Sequence, residues 1–322
     1  MRSVFTCGLC LLSFCLPASV SVAQKWPEKT IRIVVGFPPG PTDIVSRPIA
    51  TKLSEALGQP VIIENRPGAN GSIAAEQVMR SEPDGYNLLV GTSGTHVTAV
   101  HLFKNLGYDP VKDFAPIIAT VEPATCIVVN PNLPVKSIAE LVAYAKANPG
   151  KLSYATPGVG SVFHLLGELF KQTTKTDLVH VAYKGIDPAL TDLIAGHIPV
   201  AFTALSSAKP HVEAGNARIL AVLEPARFSR VPDVPSISET IPTFQKPSTW
   251  FAFFAARATP DPVVQRLNTE IGNILKQPDI VTLFENNSYT VIGGSPADLR
   301  NLTVDGIARF GEIITAAGIK PD

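Results

Sequence analysis

The stretch that decides the fold is Ile31-Arg32-Ile33-Val34-Val35-Gly36-Phe37 running into Pro38-Pro39-Gly40-Pro41-Thr42-Asp43. An apolar strand meets a Gly/Pro-rich loop, and the loop opens a helix near Ile44. The same device returns at Leu152–Ala155, followed by Thr156-Pro157-Gly158-Val159-Gly160-Ser161 and a helix through Val162–Phe170. A helix start leaves backbone N–H groups without acceptors, at the positive end of the helix dipole. Such a site suits a carboxylate or a phosphate. Two copies imply two lobes that close on one small anion.

Strand-like and helical segments alternate outward from the first copy. Val61–Glu64 and Asn87–Gly91 read as short strands, and Ile44–Leu57 puts Val45, Ile49, Leu53 and Leu57 on one helix face. A helix over Ile73–Met79 continues the series, so the β-α-β-α-β order predicts a parallel, doubly wound α/β sheet. A second unit follows. Phe114–Val121 and Cys126–Val129 are strands broken by Glu122-Pro123, and Ser137-Ile138-Ala139-Glu140 matches a capping box before Leu141–Ala147. Strands are expected at Leu178–Tyr183, Val200–Ala204 and Ile219–Leu223, with a helix at Pro188–Ala195. The chain then returns through strand Trp250–Ala256 and helix Pro262–Leu275. Its last helix, capped at Ser295-Pro296 with Asp298 in the first turn, runs to about Ala317. Two doubly wound sheets joined by a two-strand hinge are therefore expected, with crossings near Val121–Cys126 and between Glu224 and Trp250. The expected lobes are 24–124 with 236–322, and 125–235.

The 322 residues suffice for two domains. Lys+Arg and Asp+Glu both number 27, so net charge gives no case for nucleic acid or an anionic membrane. Arg2, the apolar run Leu9–Leu16 and Ser21-Val22-Ala23 read as an export signal cut after Ala23, the core being too short to span a bilayer. An uncleaved anchor is the alternative, and bulky Phe14 argues against lipoprotein processing at Cys15. Cys7, Cys10 and Cys15 lie in the signal, so the mature chain keeps only Cys126 and forms no internal disulfide. Cys126 sits in an apolar run and reads as a buried small residue. A soluble, exported product is expected.

Loops beyond the carboxyl ends of the strands carry the candidate chemistry. In the first, Pro38, Pro39 and Pro41 stiffen the chain, Gly40 permits close approach, and Thr42 is the expected N-cap. Asp43 falls in the first turn, where it complements the dipole, bonds a ligand donor or fixes the loop. In the second, Gly158 and Gly160 let the backbone curl, and Ser161 caps the helix or donates to a ligand oxygen. His164 lies one turn on and stabilises the helix or faces the ligand. Thr92-Ser93-Gly94-Thr95 offers hydroxyls and amides for carboxylate oxygens. Lys184, after strand Leu178–Ala182, counters a ligand charge or stands as a solvated surface lysine. An ordinary hydroxyl-rich or βα turn is the alternative at each loop, so the set outweighs any member. The Ser161–His164 pair raises an exported serine hydrolase of the α/β class, with Ser161 or Ser93 as nucleophile. No Gly-x-Ser-x-Gly elbow surrounds Ser161. No P-loop, dinucleotide fingerprint or metal-ligand spacing occurs, so no cofactor and no metal are expected.

At these loops the chain resembles the Bug-type extracytoplasmic solute receptors of tripartite tricarboxylate transporters. The likeness runs through Trp26-Pro27-Glu28-Lys29, Ile33–Gly40, Glu64-Asn65-Arg66-Pro67-Gly68-Ala69, Pro83-Asp84-Gly85-Tyr86 and Tyr108–Pro116. It continues through His164–Phe170, Val179–Gly185, Pro232-Asp233-Val234-Pro235 and Trp250-Phe251. The resemblance implies a two-lobed, type II-like periplasmic binding protein that closes like a Venus flytrap. It would take a carboxylated metabolite to membrane permease subunits or a sensor, as a monomer, without catalysis. By motif match Phe37 to Asp43, including Pro39, Gly40 and Thr42, make the first contact, with Thr92, Ser93 and Thr156–Ser161 making others. Two departures stand out. The family usually has two glycines where only Gly40 remains here, and strand Val200–Ala204 commonly ends in an acid where Thr203 stands. Losing that acid disfavours a ligand ammonium. A cytoplasmic regulator's effector domain shares the topology, but the signal and the lack of a DNA-binding segment argue against it.

Overall fold

The computed structural model describes residues 26–321; the expected export signal and the expected cut after Ala23 lie outside them. The chain forms two mixed sheets, each covered by helices on both faces. Chain order is β1 (Ile31–Val35), α1 (Pro41–Leu57), β2 (Val61–Asn65), α2 (Ser72–Met79) and β3 (Asn87–Thr92). A wide helical turn, Gly94–Thr98, leads into α3 (Ala99–Leu102). Then come β4 (Phe114–Pro123), β5 (Thr125–Val129), α4 (Ile138–Ala147), β6 (Leu152–Thr156), α5 (Val162–Thr174) and β7 (Leu178–Ala182). They are followed by α6 (Ile186–Ile194), β8 (Val200–Ala204), α7 (Leu205–Glu213) and β9 (Arg218–Val222). The return comprises β10 (Phe251–Ala256), α8 (Asp261–Leu275), α9 (Pro278–Asn286), β11 (Tyr289–Gly293) and α10 (Pro296–Ala316).

The first sheet runs β11-β4-β10-β3-β1-β2 and the second β7-β6-β8-β5-β9. β1 pairs parallel with β2 and β3, and β6 pairs parallel with β7 and β8. The sheets are not wholly parallel as the alternation predicts, because β10 is antiparallel to β3 and β4, and β5 to β8 and β9. Those antiparallel strands are where the chain changes sheet, entering from the opposite end. It passes from β4 to β5 across Ala124 and returns between β9 and β10.

Alternation along β1 sends Ile31, Ile33 and Val35 to a core under α1, α8 and α9, and Val34 to a core under α2 and α10. In the second sheet, Ile127, Val129 and Phe202 face α4 and α5, and Cys126, Val128 and Ala201 face α6 and α7. Helix α5 belongs to both halves. Leu166 and Phe170 pack on the second sheet while Leu165 packs into the α2–α10 core. The return segment 225–247 has only one short helical turn, Ile237–Glu239. Ile237 and Phe244 are buried in the second sheet's core.

At the crossings, Lys246, its side chain 2% exposed, bonds Glu122 and lies 3.4 Å from Glu224. Glu122 also accepts from Thr249 N–H at 3.1 Å, and Glu224 from Thr125 N–H at 2.9 Å. One ammonium thus serves a carboxylate from each crossing. Desolvation raises the Glu224 carboxyl above the usual range, opposed by Lys246. Among the described residues no helix is long and apolar enough to cross a membrane.

Candidate functional site

The first cradle begins where β1 ends. A Cβ on Gly36 would lie 2.6 Å from the Gly71 Cα, so only glycine lets these two backbones touch. Pro41 then sets the helical φ and starts α1 three residues earlier than the apolar pattern indicates. Gly40 is the N-cap, without a side-chain cap, and Thr42 lies inside the first turn with its hydroxyl buried and unpartnered. The expected Thr42 cap is therefore corrected. Asp43 N–H and Ile44 N–H both turn to the Gly40 carbonyl, at 2.9 and 3.1 Å. Pro41 has no N–H, so Thr42 presents the first-turn amide with no intrahelical acceptor.

Asp43 is the fastener of this loop. Its carboxylate pairs with Arg47 at 2.6 Å and accepts from Asn65 Nδ2 at 3.0 Å, and the same Nδ2 reaches the Phe37 carbonyl at 3.0 Å. Of the roles open to Asp43 in the sequence, the structure displays loop fixation. Pro38 and Pro39 stand exposed, and the Phe37 ring lies beside Gly71.

A neighbouring loop, not among the sequence candidates, reaches the same edge. After β2 the chain turns through Gly68, Ala69 and Asn70 to Gly71, with Ala69 at φ 45° and Asn70 at φ 51°. Two consecutive non-glycine residues in the left-handed region are held against local preference. The signal was present in sequence, since Arg66-Pro67-Gly68 also follows a strand's carboxyl end.

The turn after β3 is closed on itself. Thr92 N–H donates to Thr95 Oγ1 at 2.9 Å, and Thr95 N–H donates to Thr92 Oγ1 at 3.2 Å. Ser93 accepts from Trp250 N–H at 2.6 Å, and its own N–H bonds the Trp250 carbonyl at 3.0 Å. Both groups of Ser93 are thus engaged in joining β3 to the start of β10. Below lies His96, stacked on Phe254 at 4.0 Å and pushed down to about 3 by burial.

The second cradle caps α5. Ser161 is the N-cap, its hydroxyl accepting from His164 N–H at 3.2 Å and donating to the Gly158 carbonyl at 2.8 Å. Gly160, at φ 74°, donates its N–H to His164 Nδ1 at 3.0 Å. The Gly160 amide is therefore taken by the protein, and helix geometry leaves the Val162 and Phe163 N–H groups as the first-turn donors. Thr156 Oγ1 is 2.6 Å from His180 Nε2 and 3.4 Å from Gly158 N. The imidazoles of His164 and His180 stack at 3.8 Å and 14°. The β7 loop is sewn to this one through Tyr183 N–H to the Thr156 carbonyl and Gly185 N–H to the Pro157 carbonyl. Lys184 is exposed.

The first half meets the second beside the second cradle. Leu102 of α3 packs on Gly160 so closely that a Cβ there would meet its Cδ1 at 2.7 Å, and Gln172 of α5 reaches the Ile313 carbonyl of α10 at 3.4 Å. Thr203, at the end of β8 and paired across from Cys126, is buried with an unpartnered hydroxyl. Cys126 is buried, its thiol pushed up by desolvation and by Glu224.

The hydrolase alternative lacks its first geometric requirement. The Ser161 and Ser93 hydroxyls bond backbone groups, and the neighbouring His164 Nδ1 is occupied by Gly160 N–H.

Residues 45–319 match the model of the tripartite tricarboxylate transporter family receptor. The chain is 32% identical over 322 residues to the protein BugT of Bordetella pertussis, covering 99% of this chain and 98% of that one. Among solved structures it is similar to Rpa4515 of R. palustris with adipate, at 36% identity and TM-score 0.81, covering 92% of this chain and all of that one. It is also similar to MatC from Rhodopseudomonas palustris with bound malate, at 34% identity and TM-score 0.75, covering 90% of this chain and all of that one.

Proposed function

Since the chain belongs to the tripartite tricarboxylate transporter receptor family, we propose that it is a periplasmic receptor for a small carboxylate lacking an amino group. The observation that carries this reading is the pair of helix starts, each opened by a Gly/Pro-rich loop at the carboxyl end of a strand. The Thr42 amide of α1 and the Val162 and Phe163 amides of α5 offer donors and positive dipole ends to the two sides of one anion. Phe37, Pro39 and Gly40 shape the first side. Thr156, Gly158, Gly160 and Ser161 shape the second. Thr92 and Lys184 flank the space between, and Asp43, Ser93 and His164 act as supports.

Thr203 sets the ligand class. A neutral hydroxyl at the end of β8, buried and without a protein partner, accepts or donates one hydrogen bond but offers no charge to an ammonium. Carboxylates bound in the similar Rpa4515 and MatC structures, adipate and malate, also lack an amino group. The ligand bridges residues 26–124 with about 245–321 on one side and about 125–244 on the other. Contacts from both sides favour the closed form, which membrane permease subunits then read. The receptor does no chemistry on its cargo, acts as a monomer and leaves its signal near Ala23.

A thermal-shift screen followed by calorimetry tests this. Mono-, di- and tricarboxylates, amino acids and aromatic acids are offered at equal concentration. A ligand at about 100 times its Kd stabilises the fold by about 2.7 kcal/mol. A simple carboxylate should raise Tm and its 2-amino analogue should not. Tight binding of the amino acid, with its deaminated analogue ignored, would overturn the ligand class. Turnover of generic esters would overturn the receptor.

A further inference from the structure

Beneath the second cradle two imidazoles, His164 and His180, are stacked on one another, and the binding reading leaves the purpose of the stack open. His164 Nδ1 accepts from Gly160 N–H at 3.0 Å, which places the ring proton on Nε2, toward Glu168 Oε1 at 3.9 Å. His180 Nε2 meets Thr156 Oγ1 at 2.6 Å. The Thr156 hydroxyl also lies 3.3 Å from the Gly158 carbonyl, which has a second lone pair beside the one Ser161 uses, so Thr156 can donate to or accept from His180. His164 thus presents an unprotonated Nδ1 to the Gly160 end of the loop 156–160.

We propose that His164, stacked on His180, is the positioning element of the second cradle, holding its binding shape as a neutral hydrogen-bond acceptor for Gly160 N–H, and that protonation of His164 lets the loop go. Protonated His164 would set an N–H against the Gly160 N–H, a donor facing a donor. The stack makes the rings a unit, because two imidazolium faces at 3.8 Å repel.

The groups around the pair support neutrality. On α5, Glu168 favours the charged form, and Lys171, 2.8 Å from the same Glu168 oxygen, opposes it. From β6, Tyr154 donates to Glu168 at 2.6 Å and draws off part of that carboxylate's charge. From β7, His180 stacks on His164. From α3, apolar Leu102 closes over Gly160. Burial lowers His164, and burial with His164 lowers His180 to about 4.

The positioning claim rests on the receptor reading only for its consequence, so the test has two readouts. Hydrogen exchange of the Gly160 amide, followed by NMR, reports the loop without any ligand. His164→Phe keeps the stack and removes the acceptor, and His164→Asn keeps an acceptor at the Nδ1 position. Exchange at Gly160 should quicken about ten-fold or more in the Phe variant and stay within about three-fold in the Asn variant. Unchanged exchange in His164→Phe overturns the proposal. If that variant fails to fold, the unaltered chain decides. Its His164 ring and Gly160 amide should shift together with acid, at a common midpoint below the ordinary histidine value. A ring titrating near 6.5 while Gly160 stays still overturns it. With adipate as the binding probe near neutral pH, the Phe variant should bind about ten-fold more weakly and the Asn variant nearly as the parent. If adipate binds none of the three, adipate is not the ligand of this receptor, while the Gly160 exchange still decides the role of His164.

Discussion

The two cradles share a plan and differ in what lies underneath. The first rests on a charged fastener, with Asp43 joined to Arg47 and Asn65 and the loop backbone pressed against Gly71. The second rests on two neutral aromatic rings and a serine cap. The first is thus braced by charge and backbone contact, and the second by groups whose protonation state matters. One strand–loop–helix plan can be held up by unlike chemistry, and the difference shows which perturbation each side resists.

Acid should separate them with the largest effect. The folded values of His164, His180 and His96 lie below the unfolded value, so the unfolded chain takes up protons first. Their stabilising contribution is complete above about pH 6.5. It declines through pH 4 for His180 and toward pH 3 for His96, by up to about 1.4 kcal/mol per pH unit for each ring. Denaturation midpoints should therefore fall steeply as pH drops from about 6.5 to 4. A flat profile over that window would erase the contrast.

Glycine substitution probes the backbone side. Gly36→Ala drives a Cβ into the Gly71 backbone, which has no rotamer to yield, and should cost about 3 kcal/mol by urea denaturation. Gly160→Ala meets only the end of Leu102 but sits at φ 74°, and should cost about 1–2 kcal/mol. Equal losses would show that the two loops are equally tight. Next, Asp43→Ala removes the fastener, leaves Asn65 and Arg47 without it, and should destabilise by about 2 kcal/mol.

The smallest contrast is at the caps. Ser161→Ala should cost about 1 kcal/mol, because its hydroxyl holds His164 N–H. Thr42→Ala should change stability by less than about 0.5 kcal/mol, because its hydroxyl holds nothing in the protein. Comparable losses in the two variants would restore Thr42 as a cap.

That last pair also marks what the sequence could and could not carry. Local patterns placed Val200–Ala204 to the residue and brought α1, α5 and α10 within a few residues, since periodicity and capping are local. They missed α7, α9 and β11, short elements that acquire their partners only once the sheets assemble. Ser161 is a cap in fact because its side chain answers to a residue three positions on. Thr42 is not, because Pro41 starts the helix before it. The roles of Asp43 and His164 depend on Asn65 and His180, distant in the chain, and spacing carries no trace of such pairs. Nor did any motif single out Lys246, whose partners lie more than twenty and more than one hundred positions away.

Lys246 has a mechanical meaning. Pulling the two crossing segments apart would strip one carboxylate of its counter-ion in a dry place, a loss of several kcal/mol. The crossings should therefore travel as a single bundled axle. Any swivelling between the halves should then be taken up by torsions beyond that knot.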